Sequence, residues 1–488
     1  MKVPTFQSLH LWTMAPELWV LATSIVVLVV ALFMSDEHTL TPLVIGIAGL
    51  VGAFWQSAAM LGVHTTGFYG FIAADHVGAV INLVVIASAL VALALSPGEV
   101  EHGPEYVALT LWAAIGMMVL GSATNLLTLF IGIEVLSLPL YILTGFHRRS
   151  ALSGEASVKY LLLGAFSSGF LLYGSAFLYG DTGTLFFTRM AYVLTQAPGA
   201  VNVYLYLGMS LVLVGLSFKL AVIPFHMWVP DVYEGAPTPV TAFMSVGTKA
   251  AAFAAFLRVF LTALPPTIVP WQHAIWFLAV LTMLGGNLMA LGQPNLKRML
   301  GYSGIAHAGY LLVALVAATS RGVDAGLFYL LAYGAMNLGA FAVIVALSHG
   351  AEEGADISAY RGLFFRRPVL ASLMTLFLFS LASVPPTAGF AGKFYILQSA
   401  VGAGDLSLAI VVIVATMISF YYYFRVIVAM FTRTEAAEPR APVAAIPLVR
   451  GLVVASLVVA ALGTLEFGIF PGGLSHVAQA STRILSGL

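Results

Sequence analysis

The stretch Leu216–Phe253, LSFKLAVIPFHMWVPDVYEGAPTPVTAFMSVGTKAAAF, sets Lys219 and Lys249 inside two apolar segments and interrupts the first at Pro224. An ammonium in the hydrocarbon of a bilayer is costly, and such residues usually line an ion or substrate path. Pro224 has no N–H and its ring clashes with the carbonyl of Leu220, so a helix kinks or opens there. The freed carbonyl lies one residue from Lys219. A broken helix with a charge beside the break recurs at the midplane of ion-coupled transporters. The stretch therefore reads as half of a proton-conducting core.

The surrounding chain agrees. Of 488 residues, 60% are hydrophobic and only 8% charged, against about a quarter in soluble proteins, which argues for an integral membrane protein. Cysteine is absent, which excludes disulfides, thiolate metal sites and Cys-ligated clusters. The net charge is zero and there is no basic run, so nucleic acid is not an expected partner. Leu18–Met34 follows the acidic Glu17 with no basic segment before it, so it is expected to span and not to be a cleaved signal.

Crossing about 30 Å of hydrocarbon takes roughly 20 apolar residues. Fourteen runs qualify: 16–34, 41–62, 75–95, 106–122, 124–146, 156–180, 203–230, 238–264, 271–292, 295–318, 323–348, 367–400, 406–432 and 446–470. The fourth and fifth are divided only by a tight turn at Gly121–Ser122–Ala123. The runs are too long and too evenly apolar for barrel strands, so an all-α polytopic fold is expected and strands are not. With the N-terminus outside, inner loops carry Arg148, Arg149, Lys297, Arg298, Arg361, Arg366, Arg367, Arg433, Arg440 and Arg450. The outer side carries Lys2, Arg189, Arg321 and Arg483, and ten against four places both termini outside. Lys159, Lys219, Lys249, Arg258, Lys393 and Arg425 lie within spans or at their ends.

Leu220–Pro224 (LAVIP) is similar to Leu381–Pro385 (LASVP), and each precedes a helix with a late arginine, Arg258 or Arg425. The two broken helices are five spans apart, and an odd offset makes them cross in opposite directions, the inverted-repeat arrangement of many transporters. In this alignment Lys219 falls opposite Ser380 and not Lys393.

Glu134 is the one acid near the middle of a span, read as a proton-binding carboxylate or as the counter-ion of a buried lysine; the competing reading is a structural carboxylate satisfied by Ser137 at i+3. Tyr141 extends that stripe. Desolvation disfavours the charged form of Lys219 and a carboxylate neighbour favours it, by about 4 kcal/mol at about 4 Å and an effective dielectric near 20. Glu134 is thus a candidate switch for the Lys219 proton, the alternative being a static ion pair that fixes packing. Thr241, Ser245 and Lys249 recur every four residues on one helix face, and Lys249 sits too deep for its side chain to reach the interface. Pro385, Pro386, Gly389 and Gly392 break a second helix just before Lys393, for which reaching the interface is a stronger rival to relay.

Ser303, His307 and Tyr310 form a polar stripe, as do Tyr329, Tyr333 and Asn337 in the next span. His307 is a relay candidate or a satisfied packing histidine, while His226 is either a relay group or a donor to the opened backbone. Asp231 and Glu234 are expected to cap the helix that follows, with proton gathering as the other reading. Arg258 and Arg425 read as interfacial or paired anchors. No nucleotide or redox-cofactor motif and no haem-like pair of histidines is present, so cofactor-binding and metal sites are not expected.

The segment FKLAVIPFHMWVPDVYEGAPTPVTAFMSVGTKAAAF resembles the signature of the antiporter-like membrane subunits of respiratory complex I, the proton-pumping NADH:quinone oxidoreductase. The form PFHMWVPDVYEGAPTPVTAF is most similar to the smallest of the three such subunits. The largest has extra C-terminal helices that do not fit in 488 residues, and another usually has glutamate where Lys393 stands in PPTAGFAGKF. The likeness covers essentially the whole chain, including IEVLSLPLYIL around Glu134 and LGYSGIAHAGYLL around His307.

The resemblance implies one integral membrane domain of about fourteen helices: 1–105, a first five-helix repeat over 106–264, an inverted second over 271–432, and a last helix at 446–470. Helices 7 and 12 are broken. It also implies that Glu134 pairs with Lys219, that Lys249 links two half-channels and that Lys393 ends the path near the exit. NADH, FMN, iron–sulfur clusters and quinone are then expected in partner subunits, with other antiporter-like subunits as neighbours in a bacterial inner membrane. The alternatives are a stand-alone cation/proton antiporter of the same ancestry and a non-conducting structural subunit.

Overall fold

The structure is a computed structural model that describes residues 9–34, 40–100, 103–196, 202–265, 269–348, 355–433 and 447–472. In chain order its helices are α1 Ala15–Leu32, α2 Thr41–Ala59, α3 His76–Leu95, α4 Pro104–Ser122, α5 Leu126–Thr144, α6 Ala151–Thr182, α7 Phe187–Gln196 and α8 Val203–Leu220. Next come α9 Trp228–Gly235, α10 Thr238–Phe243, α11 Lys249–Leu257, α12 Gln272–Ala290, α13 Leu296–Val316 and α14 Ser320–Leu347. The rest are α15 Leu363–Arg366, α16 Pro368–Leu381, α17 Ala388–Gly402, α18 Leu406–Phe431 and α19 Pro447–Ile469.

Among the described residues thirteen helices are long and apolar enough to cross a membrane, and the expected run 367–400 is the pair α16 and α17. Several spans start where a polar residue meets an apolar run. Asp75, Asn125, Asn202, Asn295, Thr319 and Asp405 accept hydrogen bonds from first-turn amides of α3, α5, α8, α13, α14 and α18, supplying acceptors the helix itself lacks there. The span Thr238–Ala263 is buried along nearly its whole length, whereas Leu18, Phe54, Phe166 and Tyr421 on α1, α2, α6 and α18 face outward. Outward apolar faces around a polar-dotted interior are what hydrocarbon solvent favours.

Four expectations need correction. A small antiparallel hairpin, β1 Thr65–Gly67 with β2 Ile72–Ala74, joins α2 to α3, although no strand was expected. The turn expected at 121–123 lies slightly later: α4 runs through Ser122, and Ala123 bridges to Ile72. The seventh span ends at Leu220, four residues before Pro224, because Ala221 adopts a left-handed conformation (φ 67°). The N–H groups of Ala221 and Val222 then bond back to the Phe218 and Ser217 carbonyls, a closed helix end.

The fourth correction is one of register. Ser383 is also left-handed (φ 67°), and Ser383 and Val384 donate to the carbonyls of Ser380 and Phe379 in the same pattern. The two breaks therefore superpose with Ala221 on Ser383, so Lys219 lies opposite Leu381, one residue later than Ser380. The ring of Pro224 matches that of Pro386 in the same register, and both follow cis peptide bonds. In the second break α17 starts hard against the end of α16: Gly389 N–H donates to Ser380 Oγ at 3.0 Å. A β-carbon at Gly389 would collide with the Ser380 carbonyl.

The eighth span is also irregular. Between α10 and α11, Met244–Thr248 is π-helical, and Arg258–Ala263 beyond α11 is π-helical again. Lys249 and Arg258 each stand at a junction of such a segment, a feature frequent at functional sites.

Candidate functional site

Three buried lysines and one histidine define the site. Lys219, Lys249 and Lys393 are 3%, 2% and 5% exposed, which rules out side chains reaching to the interface. Lys219, in the last turn of α8, donates from Nζ to Ser137 Oγ on α5 at 2.6 Å. Ser137 in turn donates to the Ile133 carbonyl. The rings of Phe218, Tyr141 and Tyr160 lie 5.6–5.8 Å from the ammonium, where their faces favour a cation.

Glu134 sits one turn before Ser137 and is within electrostatic reach of Lys219, but no ion pair joins them among the described residues. Its Oε1 is buried without a hydrogen-bond partner. The expected direct pair is thus replaced by a serine that holds the lysine while the carboxylate stands off. Ser137 serves Lys219 and not Glu134, contrary to the i+3 reading. At the end of α8, Trp228 Nε1 donates to Phe218 O at 3.0 Å, which ties the connection after the break back to the helix.

Lys249 opens α11 against α9 and α13. Its Nζ lies 5.9 Å from the Tyr233 ring centre, and a β-carbon at Gly304 would sit 3.4 Å from that nitrogen, so glycine there admits the lysine to the α13 face. The line expected through Thr241, Ser245 and Lys249 diverges. Thr241 donates to backbone carbonyls of Tyr233 and Pro237, while Ser245 accepts from Asn337 Nδ2 at 2.6 Å. The intervening π-helical turn separates residues that a regular helix would align.

His307 is within electrostatic reach of Lys249 and Lys393. Its Nδ1 meets Tyr329 Oη at 2.5 Å and its Nε2 meets Tyr423 Oη at 3.2 Å, while Tyr423 Oη also bonds Ser303 Oγ. Tyr333 and Tyr310 pack on the imidazole at 4.8 and 5.7 Å. Lys393 Nζ lies 4.5 Å from the Tyr310 ring centre and donates to Leu381 O at the end of α16, 3.4 Å away. A helix C-terminus carries partial negative charge, so this break receives its lysine from beyond the gap, whereas Lys219 precedes its own break.

The remaining candidates lie outside this group of lysines and histidine. His226, half-buried in the connection after α8, lies beside the Pro224 backbone, and its Nδ1 is buried without a hydrogen-bond partner. No hydrogen bond joins it to a buried lysine among the described residues. Asp231 and Glu234 do not cap α10, which has no side-chain cap. Asp231 instead pairs with Lys159 and Arg298, both at 2.7 Å, and Glu234 pairs with Arg298 at 2.9 Å. Burial raises the Asp231 carboxyl, but hydrogen bonds from Lys159 and Arg298 outweigh it and hold the group below the usual carboxylate range.

Arg258 is a paired anchor, forked onto Asp75 at 2.9 and 3.0 Å and donating from Nε to Gly121 O at 2.6 Å. Arg425 binds the Leu291 and Gln293 carbonyls after α12. Lys297, expected in a loop, is buried at the start of α13 and donates to Ala236 O at 2.7 Å. Sequence reasoning missed Tyr423, although the run Tyr421–Tyr422–Tyr423 inside an apolar span was a usable signal. It also missed Glu17, buried in the first turn of α1 and bonded to Asn82 Nδ2 at 3.0 Å.

With this geometry in place, comparison with known proteins is decisive. Residues 123–419 match the model of the family described as NADH:quinone oxidoreductase/Mrp antiporter, TM, a range that holds Glu134, Ser137, all three lysines, His307 and Tyr329. The chain belongs to that family. It is 44% identical to NADH-quinone oxidoreductase subunit N of Trichlorobacter lovleyi, the alignment covering 98% of both chains. It is 42% identical to the subunit of the same name from Chloroflexus aggregans, over 99% of both. A chain of respiratory complex I from Thermus thermophilus with bound aureothin superposes with a TM-score of 0.78 at 36% identity, covering 93% of this chain and 98% of that one. A chain of the Mrp complex from Dietzia sp. DQ12-45-1b gives a TM-score of 0.85 at 21% identity over 98% of both, a likeness of fold alone. The family expected from FKLAVIPF and its sequel is therefore the family found, and its antiporter-like architecture is this chain's architecture.

Proposed function

We propose that this chain is a proton-translocating membrane subunit of an NADH:quinone oxidoreductase, working beside other antiporter-like subunits in a bacterial inner membrane with both termini outside. NADH oxidation, with its FMN, iron–sulfur clusters and quinone, takes place in partner subunits, and this chain supplies the path. Spans 4–8 and 9–13 act as two inverted five-helix repeats over 106–264 and 271–432. The shared left-handed break at Ala221 and Ser383 supports that division.

The observation that carries the reading is the burial of Lys219, Lys249, His307 and Lys393 inside helices whose outer faces are apolar. Groups so placed exchange a proton with one another or with confined water more readily than with bulk solvent. Redox work in partner subunits shifts Glu134 relative to Lys219. Closing from about 8 Å to about 4 Å at an effective dielectric near 20 changes their interaction by about 2 kcal/mol. Moving one charge against 100 mV requires about 2.3 kcal/mol, so the two quantities are of the same scale. The proton then passes by Lys249 and His307 to Lys393, with His226 at the edge of the path.

The test is Lys219→Ala in the assembled complex, reading protons moved per electron in sealed vesicles. The expected result is NADH oxidation with a reduced ratio, and a parental ratio contradicts the reading. Sodium or potassium exchange by the isolated chain in vesicles would favour a stand-alone antiporter instead.

A further inference from the structure

Neither Lys249 nor Lys393 is hydrogen-bonded to His307, so the histidine alone does not join them. Both imidazole nitrogens are instead occupied by tyrosine hydroxyls from two different helices: Tyr329 of α14 on Nδ1 and Tyr423 of α18 on Nε2. Tyr423 continues to Ser303, which makes an unbroken series Ser303–Tyr423–His307–Tyr329.

At each end of this series a glycine beside it or against it neighbours a lysine. Ser303 adjoins Gly304, against whose Cα Lys249 packs, and Tyr329 packs its ring on Gly392, the residue before Lys393. Every member is at most 2% exposed. Each hydroxyl donates one proton and accepts another, and a neutral imidazole donates at one nitrogen and accepts at the other. The series is therefore chemically able to run in either direction.

We propose that Ser303, Tyr423 and Tyr329 are relay residues that carry the proton between Lys249 and Lys393 through the two nitrogens of His307. This rests on the proton-translocating reading above. The Lys249 ammonium gives a proton to the Ser303 end directly or across one water, and Ser303 passes its own hydroxyl proton to Tyr423. Tyr423 passes its proton to Nε2 while Nδ1 releases one to Tyr329, and Tyr329 gives its proton, across confined water, to the neutral amine of Lys393. One proton enters, one leaves, and no member keeps a charge. Rotation of the hydroxyls and exchange of the imidazole tautomer reset the series.

The test uses Tyr329→Phe and Tyr423→Phe in the whole complex, because each keeps the ring and removes only the oxygen. Ser303→Ala interrupts the same series and serves if either phenylalanine variant fails to assemble. Protons per electron are expected to fall to the level of His307→Ala while NADH oxidation continues. The Tyr329→Phe/Tyr423→Phe double variant is expected to be no lower than either single one, as for links in series. Fluorotyrosine at 423, which retains the hydroxyl, is expected to restore the ratio, an outcome that a purely packing role does not predict. Parental ratios in the assembled hydroxyl-deleted variants, beside a low ratio in His307→Ala, overturn the relay and leave the proton-translocating reading standing. A parental ratio in His307→Ala as well overturns both.

Discussion

Replacing Ser137 by alanine isolates the contact that distinguishes this site from a simple ion pair. Lys219 donates to Ser137 at 2.6 Å from a position 3% exposed, so no bulk water replaces the lost acceptor. A hydrogen bond to a charged group contributes about 1.5–3 kcal/mol. At about 1.36 kcal/mol per decade this is roughly a ten- to 150-fold loss in the occupancy of the Lys219 proton. Glu134→Gln removes a charge within electrostatic reach of Lys219 and leaves the hydrogen bond intact. The assay is simultaneous measurement of NADH oxidation and of acidification by a pH-sensitive dye in vesicles bearing the assembled complex. Ser137→Ala is expected to keep oxidation and lose most pumping through this subunit, while Ser137→Thr, which retains a hydroxyl, is expected to keep both. Pumping at the parental ratio in Ser137→Ala would refute the role given to the serine.

Further outcomes follow from the packing. Arg258→Met leaves the Asp75 carboxylate without its forked partner and Gly121 O without its donor, which is expected to destabilise the chain by about 3–5 kcal/mol. Native-gel assembly after mild heating measures this, and adding Asp75→Asn is expected to recover part of the loss. Gly389→Ala forces a β-carbon into the Ser380 carbonyl and is expected to cost about 1–3 kcal/mol by moving α17, read as lower assembly yield. The Asp231 carboxyl is held below its usual value by Lys159 and Arg298. Its stabilising contribution is therefore complete above the unfolded carboxyl value of about 3.9 and is lost as pH falls through the depressed folded value. Asp231→Asn is expected to flatten the acid limb of a stability–pH curve, measured by thermal unfolding in detergent.

Much of the architecture was legible because hydrocarbon imposes a simple rule: long apolar runs cross, and a lysine or proline inside one is exceptional. That rule found the spans, both breaks and the three buried lysines, and the polar stripes of α13 and α14 located His307. The register of the breaks was hidden because Ala221 and Ser383, not the prolines, end the helices, and nothing marks either residue as left-handed in sequence. Spacing within α5 showed that Glu134 and Ser137 share a face, but which of them reaches Lys219 depends on how α8 packs against it. Tyr423 was missed for a similar reason, since its partners Ser303 and His307 are more than a hundred residues away. Asp231 and Glu234 looked like helix caps because Lys159 and Arg298 come to them from distant segments.

The most direct test of the whole account is the number of protons moved per electron in vesicles whose assembled complex carries Lys249→Met, an apolar side chain of similar length. A ratio clearly below that of the parent, with NADH oxidation continuing, is the predicted result. An unchanged ratio in fully assembled complex would mean that protons do not pass this lysine.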